Sequence, residues 1–337
     1  MSASDVVPVA PEALLSRIRV AIRPADKKTA AAAMTRVTER TRFQTGGETL
    51  TALLAERPEV KAFLEGVFSN SSYLTELAAR DTGRLARILT SDPAALVDGL
   101  VAEVEASRLD DEATLMSKLR LAKQEVALAA ALADLGGVWG TMEVTGALTR
   151  IGDATLQAAV RFCLADAAAR GKIELPNPAD PAEGSGWILL AMGKYGAHEL
   201  NYSSDIDLIV FFDRSVARLA DPDEAVDLFV RLTKRMVKIM QERTADGYVF
   251  RTDLRLRPDP GATPIAMNLD AAFQYYESMG QNWERAALIK ARPAAGDLTA
   301  GWAFISEIRP FIWRKYFDYA AIADVHSIKR QIHAHKG

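Results

Sequence analysis

The sequence predicts an α+β protein in which a helical bundle leads into a smaller region of strands and helices. Three observations predict it. Apolar residues recur every three to four positions from about Ala13 to Lys172; the segment 175–186 holds three prolines and two glycines; and the residues beyond it switch to short apolar runs bounded by glycines and aspartates.

Residues 1–12, with Pro8 and Pro11 and no periodicity, read as a flexible arm. Within 13–180, Leu74, Leu77, Ala78 and Leu85 keep helical spacing, as do Leu115, Leu119, Val126 and Leu132. Asn70-Ser71-Ser72 and Ser91-Asp92-Pro93 offer side-chain oxygens to the free N–H groups of a first turn. Gly46-Gly47 and Gly136-Gly137 interrupt the pattern, so seven to nine helices are expected. The region of strands and helices is expected over 181–300. There Trp187–Met192 and Ile206–Phe212 read as buried strands. Asp221–Asp246 reads as an amphipathic helix with Val226, Phe229, Val230, Thr233, Val237 and Met240 inward. Tyr248–Arg257 alternates like a third strand, closed by Pro258-Asp259-Pro260-Gly261. Helices are expected around Leu269–Arg292 and Gly301–Lys336, residues 301–337 opening a further helical region.

Lys and Arg number 41 against 44 Asp and Glu, a net charge of −3, which argues against a large nucleic-acid-binding surface. The single cysteine, Cys163, excludes an internal disulfide and a multi-thiolate metal site. No run approaches the roughly 20 apolar residues of a membrane span. The start, MSASDVVPVAPEALL, lacks a secretory pattern, so a cytoplasmic protein is expected.

The chemistry concentrates in Gly193-Lys194, ten further residues, and then Asp205-Ile206-Asp207. Two aspartates one residue apart in a strand share a face, so both carboxylates can grip one hard cation or a close pair. The alternating Ile206, Leu208 and Val210 then face the packed side. A glycine turn after an apolar strand permits close backbone approach to phosphate, and Ser203 and Ser204 can add hydroxyl donors. In the third strand, period two sets Arg251, Asp253, Arg255 and Arg257 on one face and Phe250, Leu254 and Leu256 on the other. Three carboxylates with guanidinium groups are what metal-assisted phosphoryl or nucleotidyl transfer requires.

Gly193-Lys194, Asp205-Ile206-Asp207 and the later Asp253 together resemble the polymerase-β type of nucleotidyltransferase, which implies a small mixed sheet flanked by helices. The longer strings Ala191–Ile209, Phe250–Pro258 and Trp283–Arg292 are similar to those of the glutamine synthetase adenylyltransferase family, whose members are bifunctional and carry two such catalytic domains. One domain of that family transfers AMP from ATP to a tyrosine of glutamine synthetase; the other removes it with phosphate and releases ADP. The long helical lead and the segment Arg309–Tyr319 are similar to the adenylyl-removing half. The resemblance therefore implies deadenylylation by phosphorolysis, with ATP-dependent adenylylation and a noncatalytic regulatory module as the other readings. It implies Asp205, Asp207 and Asp253 as catalytic ligands of Mg²⁺ or Mn²⁺. Gly193, Lys194, Ser203, Ser204, Arg251, Arg255 and Arg257 are then the phosphate-side residues. Glutamine synthetase, a PII-type signal protein, phosphate and ADP or ATP are the implied partners. The family commonly has lysine at position 194, where the wider superfamily has serine or glycine. It also continues beyond position 337, so the chain is expected to be part of a longer protein.

Other residues have plainer readings. His198 reads as a surface or structural residue, since phosphorolysis needs no base. Trp283, Glu284, Lys290 and Arg292 read as helix packing. His326, His333 and His335 belong to a solvated helix, and the cations Arg231, Lys234, Arg235 and Lys238 to the wet face of another, which a partner protein can also meet.

Overall fold

A computed structural model describes residues 9–41, 43–108, 111–313 and 330. Most of the expected N-terminal arm, and His326, His333 and His335, lie outside the described residues. The chain folds as two compact units, one of residues 1–103 and 121–151, the other of 104–120 and 152–337. The sequence reading instead set one boundary in the proline-rich segment. The difference arises because the two longest helices supply residues to both units.

Seven helices precede those two: α1 to α7 are Leu14–Arg17, Lys27–Thr41, Gly47–Glu56, Pro58–Asn70, Ser72–Arg80, Thr82–Thr90 and Pro93–Glu105. The long pair are α8, Glu112–Leu135, and α9, Thr141–Ala169. Among the described residues nine helices thus occupy the expected bundle. In the first unit α2 packs on α4 and α5, and α3 on α6, burying Leu50, Phe63, Leu64, Leu85 and Val126. The expected caps form: Ser71 Oγ accepts from Leu74 N at 3.2 Å and Asp92 Oδ1 from Ala95 N at 2.9 Å. No helix of the described residues is long and apolar enough to cross a membrane.

The second unit holds a mixed sheet. Its strands are β2, Trp187–Ala191; β3, Ile206–Phe212; β5, Thr252–Asp253; β6, Met267–Asn268; and β7, Arg292–Gly296. A separate antiparallel pair joins β1, Ile173–Glu174, to β4, Arg218–Leu219. The spatial order is β5-β3-β2-β7, with β6 also on β3. β2 runs antiparallel to β3 and β7, whereas β5 and β6 run parallel to β3. Helix α11, Ala225–Gln241, covers one face, where Phe229 stacks on Phe212 with ring centroids 4.6 Å apart. On the other face Ile188, Leu190, Ile209 and Phe211 share a core with residues of α12, Leu269–Ser278, and α14, Leu298–Glu307.

Four expectations are corrected. Strand β3 is buried on both faces from Leu208 onward, since Ile209 and Phe211 pack as fully as Leu208 and Val210. The third strand is two residues long rather than ten, because Asp253 accepts from the N–H of Arg255 at 2.8 Å and turns the chain. The helix expected over Leu269–Arg292 is divided into α12 and α13, Asn282–Leu288, followed by β7, an edge strand where Pro293 is tolerated. Finally, α11 buries Phe229, Thr233 and Met240 as expected, but Leu228, Leu232, Met236 and Ile239 complete its inward stripe in place of the exposed Val226 and the half-buried Val230 and Val237.

Candidate active site

The site lies where the apolar run of β3 begins. Asp205 precedes the strand, and Asp207 pairs in register with Asp253 of parallel β5. Paired residues of neighbouring strands project to one face of the sheet, so the Asp207 and Asp253 carboxylates share a face, with Asp205 two residues before Asp207 in the chain. Their proximity shows in their ionisation. Burial, then Asp253, then Asp205 push the Asp207 carboxyl up to about 6. Asp253 is held below the usual carboxylate range by hydrogen bonds from Arg255.

The glycine turn comes against the same group. It forms α10, Gly193–Gly196, between β2 and β3, with Met192 N bonded to Asp207 O at 2.9 Å. Gly193 has φ +55°, and a β-carbon there would lie 3.0 Å from Asp207 Oδ2, so both backbone conformation and space require glycine. Gly196 is closer still to its surroundings: a β-carbon would meet Lys290 O at 2.0 Å. Lys194 is exposed on this turn.

What fixes the turn is a set of residues the sequence reading did not join. Tyr195 is fully buried, and its ring lies under the Arg292 guanidinium at 5.2 Å. Arg292, at the start of β7, donates to Asp153 Oδ1 at 2.8 Å and to Tyr195 O at 3.2 Å. Lys290 reaches Glu199 at 2.7 Å. Asp153 lies far off in sequence on a helix with no motif, so nothing in the sequence marked it. Burial and the nearby Arg292 lower the pKa of His198, which sits at φ 60° on the exposed side of the same loop.

The three arginines part company. Arg251 donates to Asp205 Oδ1 and to Ser203 O, the latter at 3.1 Å. Arg255 forks onto Asp253, its Nε lying 3.0 Å and 2.9 Å from the two carboxylate oxygens and its Nη2 also donating to Oδ2. Arg257 does not lie on the strand: it donates to Leu254 O at 2.8 Å and Pro260 O at 2.7 Å, bracing the loop. The expected alternation through Arg257 fails because the turn at Asp253 ends it. Ser204 gives its hydroxyl proton to Asn201 Oδ1 at 2.7 Å, whereas Ser203 is exposed beside Arg251.

Asp205, Asp207 and Asp253 carry the hard oxygen donors that suit a divalent cation, and Asp207, disfavoured as an anion by burial and then by Asp253 and Asp205, gains from added positive charge. Among the described residues no three acidic, His or Cys side chains are drawn together as a ready metal-binding group. Two of the three aspartates are engaged by arginines instead.

The family model described as "Glutamate-ammonia ligase adenylyltransferase" matches residues 62–306. The chain belongs to this family. It is 52% identical over 287 residues to the bifunctional glutamine synthetase adenylyltransferase/adenylyl-removing enzyme of Brucella suis biovar 1, covering 84% of this chain and 29% of that one. It is 53% identical to the protein of that name from Mesorhizobium japonicum, over 86% of this chain and 30% of that one. With the Rhizobium meliloti protein of that name it shares 49% identity over 94% of this chain and 33% of that one. The chain thus spans about a third of the length of these relatives. The matched family region contains every residue of the site, from Asp153 to Arg292, and ends within α14.

Within the family string Trp283–Arg292, the residues do not share one helix. Glu284 accepts from Gln281 N at 2.7 Å and from the Tyr275 hydroxyl at 3.1 Å, capping α13. Lys290 and Arg292 lie beyond that helix and pack against the glycine turn. The string therefore carries a packing residue and the supports of the active-site loop.

Proposed function

We propose that this chain removes AMP from an adenylylated tyrosine of glutamine synthetase by phosphorolysis, giving ADP and the free tyrosine, in cytoplasmic control of nitrogen assimilation. The observation that carries the reading is the alignment of Asp207 and Asp253 on parallel strands, with Asp205, guanidinium groups and the glycine turn around them. The adenylyl-removing activity in the relatives' name agrees with it.

The reaction asks little of acid–base chemistry. Phosphate arrives as an anion, and a tyrosine phenol leaves with a pKa near 10, so no side-chain base is required. Mg²⁺ or Mn²⁺ held by Asp205, Asp207 and Asp253 would neutralise the phosphodiester and stabilise the leaving phenolate. Arg255 and Arg251 supply planar N–H forks for phosphate oxygens. The glycine turn lets backbone approach the nucleotide phosphate, with Lys194 and Ser203 exposed beside it. A PII-type signal protein is proposed as the regulator. The test is incubation with adenylylated glutamine synthetase, Mg²⁺ and phosphate. ADP release that depends on phosphate is expected. AMP in phosphate-free buffer would make the reaction hydrolytic, and adenylylation of the unmodified enzyme from ATP would make this the transferase half.

A further inference from the structure

We propose that Arg255 and the divalent cation compete for the same carboxylates, and that Arg255, once displaced, is presented to the anionic substrate, so that cation and anion bind cooperatively. The inference rests on reading the site as one for nucleotidyl transfer. Its ground is how Arg255 is held. Among the described residues its side chain bonds to one group, Asp253, and it engages both oxygens of that carboxylate. The Arg255 side chain is 84% exposed while that of Asp253 is 16% exposed, so a mobile cation is pinned to a fixed, largely buried anion.

Asp253 pairs in register with Asp207 across the parallel strands, so the guanidinium sits on a carboxylate beside the one the cation would also use. A hard cation requires oxygens that this fork occupies. Binding of the cation therefore frees the guanidinium. The other arginines are held differently: Arg257 is tied to backbone carbonyls, and Arg251 has Ser203 O as well as Asp205. A freed Arg255 remains tethered within reach of the carboxylates, an exposed planar fork suited to phosphate oxygens. An anion that captures it removes the competitor, and by linkage the cation must help the anion by the same factor.

Calorimetric titration of the whole chain with Mg²⁺, with and without inorganic phosphate, tests this, with ADP as a second anionic probe. In the parent protein each ligand is expected to tighten the other equally. In Arg255→Gln, Mg²⁺ alone is expected to bind about two- to fivefold tighter, the scale of one lost exposed ion pair, and the linkage factor to fall below the parent's, leaving the direct attraction between cation and anion. Arg255→Lys, which keeps charge without the fork, is expected to fall between. Unchanged or weaker Mg²⁺ binding in Arg255→Gln, linkage undiminished without Arg255, or no linkage in the parent would overturn the proposal. These readouts are separate from the reaction assay: AMP or ATP-driven chemistry would remove the proposed reaction and leave the linkage standing, while lost linkage with phosphate-dependent ADP release would remove only the exchange.

Discussion

At the scale of residues, Asp207 is the group whose environment costs the fold most plainly. It is half-buried at the head of β3 with Asp253 opposite, and its carboxyl is pushed up to about 6 from an ordinary 3.8. The folded chain therefore holds this proton more tightly than the unfolded chain does. Between about pH 4 and pH 6 the native state binds more protons, so this group's contribution to stability falls as pH rises through that window. Asp207→Asn is expected to stabilise the fold at pH 7 by about 1 kcal/mol, the shift being discounted for solvent screening. The gain should vanish below about pH 4. Urea midpoints across pH, in EDTA, measure it, and calorimetry should show Mg²⁺ binding lost in the same variant. Equal midpoints at pH 7 would show that the cluster does not strain the native state. Asp253 behaves oppositely, since Arg255 lowers its pKa: its stabilisation is present above the usual carboxylate pKa and is lost in acid.

At the scale of elements, α10 has two glycines with different duties. Gly193→Ala places a β-carbon 3.0 Å from Asp207 Oδ2 at φ +55°. It is expected to cost about 1 to 2 kcal/mol and to lower turnover by as much as about 100-fold by displacing the carboxylate. Gly196→Ala meets the Lys290 carbonyl at 2.0 Å instead, so its larger effect is expected on stability. Thermal melts beside kcat separate the two, and equal melting losses would argue against separate roles. The elements also show what was legible in the sequence. β2 and β3 were readable as buried strands from their apolar runs, although the burial of β3 on both faces beyond Asp207 was not. The placing of Asp207 and Asp253 on neighbouring strands, which pair in register, was readable too. The length of β5 was not readable: the alternation of charge from Arg251 to Arg257 mimics a strand, yet Asp253 and Arg257 spend their side chains on local backbone groups. β7 was hidden because its residues Arg292–Gly296 carry neither β-branched nor aromatic side chains. The Asp153–Arg292 support was hidden for another reason, since tertiary pairing leaves no periodic trace.

At the scale of the whole molecule, the question is which charges are spent internally and which remain for partners. The basic face of α11 is the instructive case, because its cations read in sequence as a wet surface that a partner protein can meet. In the second unit Arg235 instead lies between two acids, donating to Glu112 Oε2 at 2.7 Å and to Asp166 Oδ2 at 2.5 Å. Its guanidinium also lies 4.9 Å from the ring of Phe162. Lys238 joins Glu112 at 3.0 Å. Those bonds hold α11 to the opening of α8 and the end of α9, and α11 in turn covers one face of the mixed sheet through Phe229. A half-buried cation with two bonded carboxylates differs from a surface pair, since removing it takes a counter-charge from two acids at once, leaving Glu112 with Lys238 and Asp166 with Arg170. Arg235→Met is therefore expected to cost about 2 to 3 kcal/mol, with a penalty that shrinks in high salt as the exposed acids are screened. Lys238→Met should cost less than about 1 kcal/mol. If α11 were chiefly a docking face, both variants would melt like the parent and lose association with glutamine synthetase. If it is structural, Arg235→Met lowers the melting temperature while association measured below that temperature is retained. Melting curves at low and high salt, paired with a binding measurement on the same preparations, distinguish these outcomes.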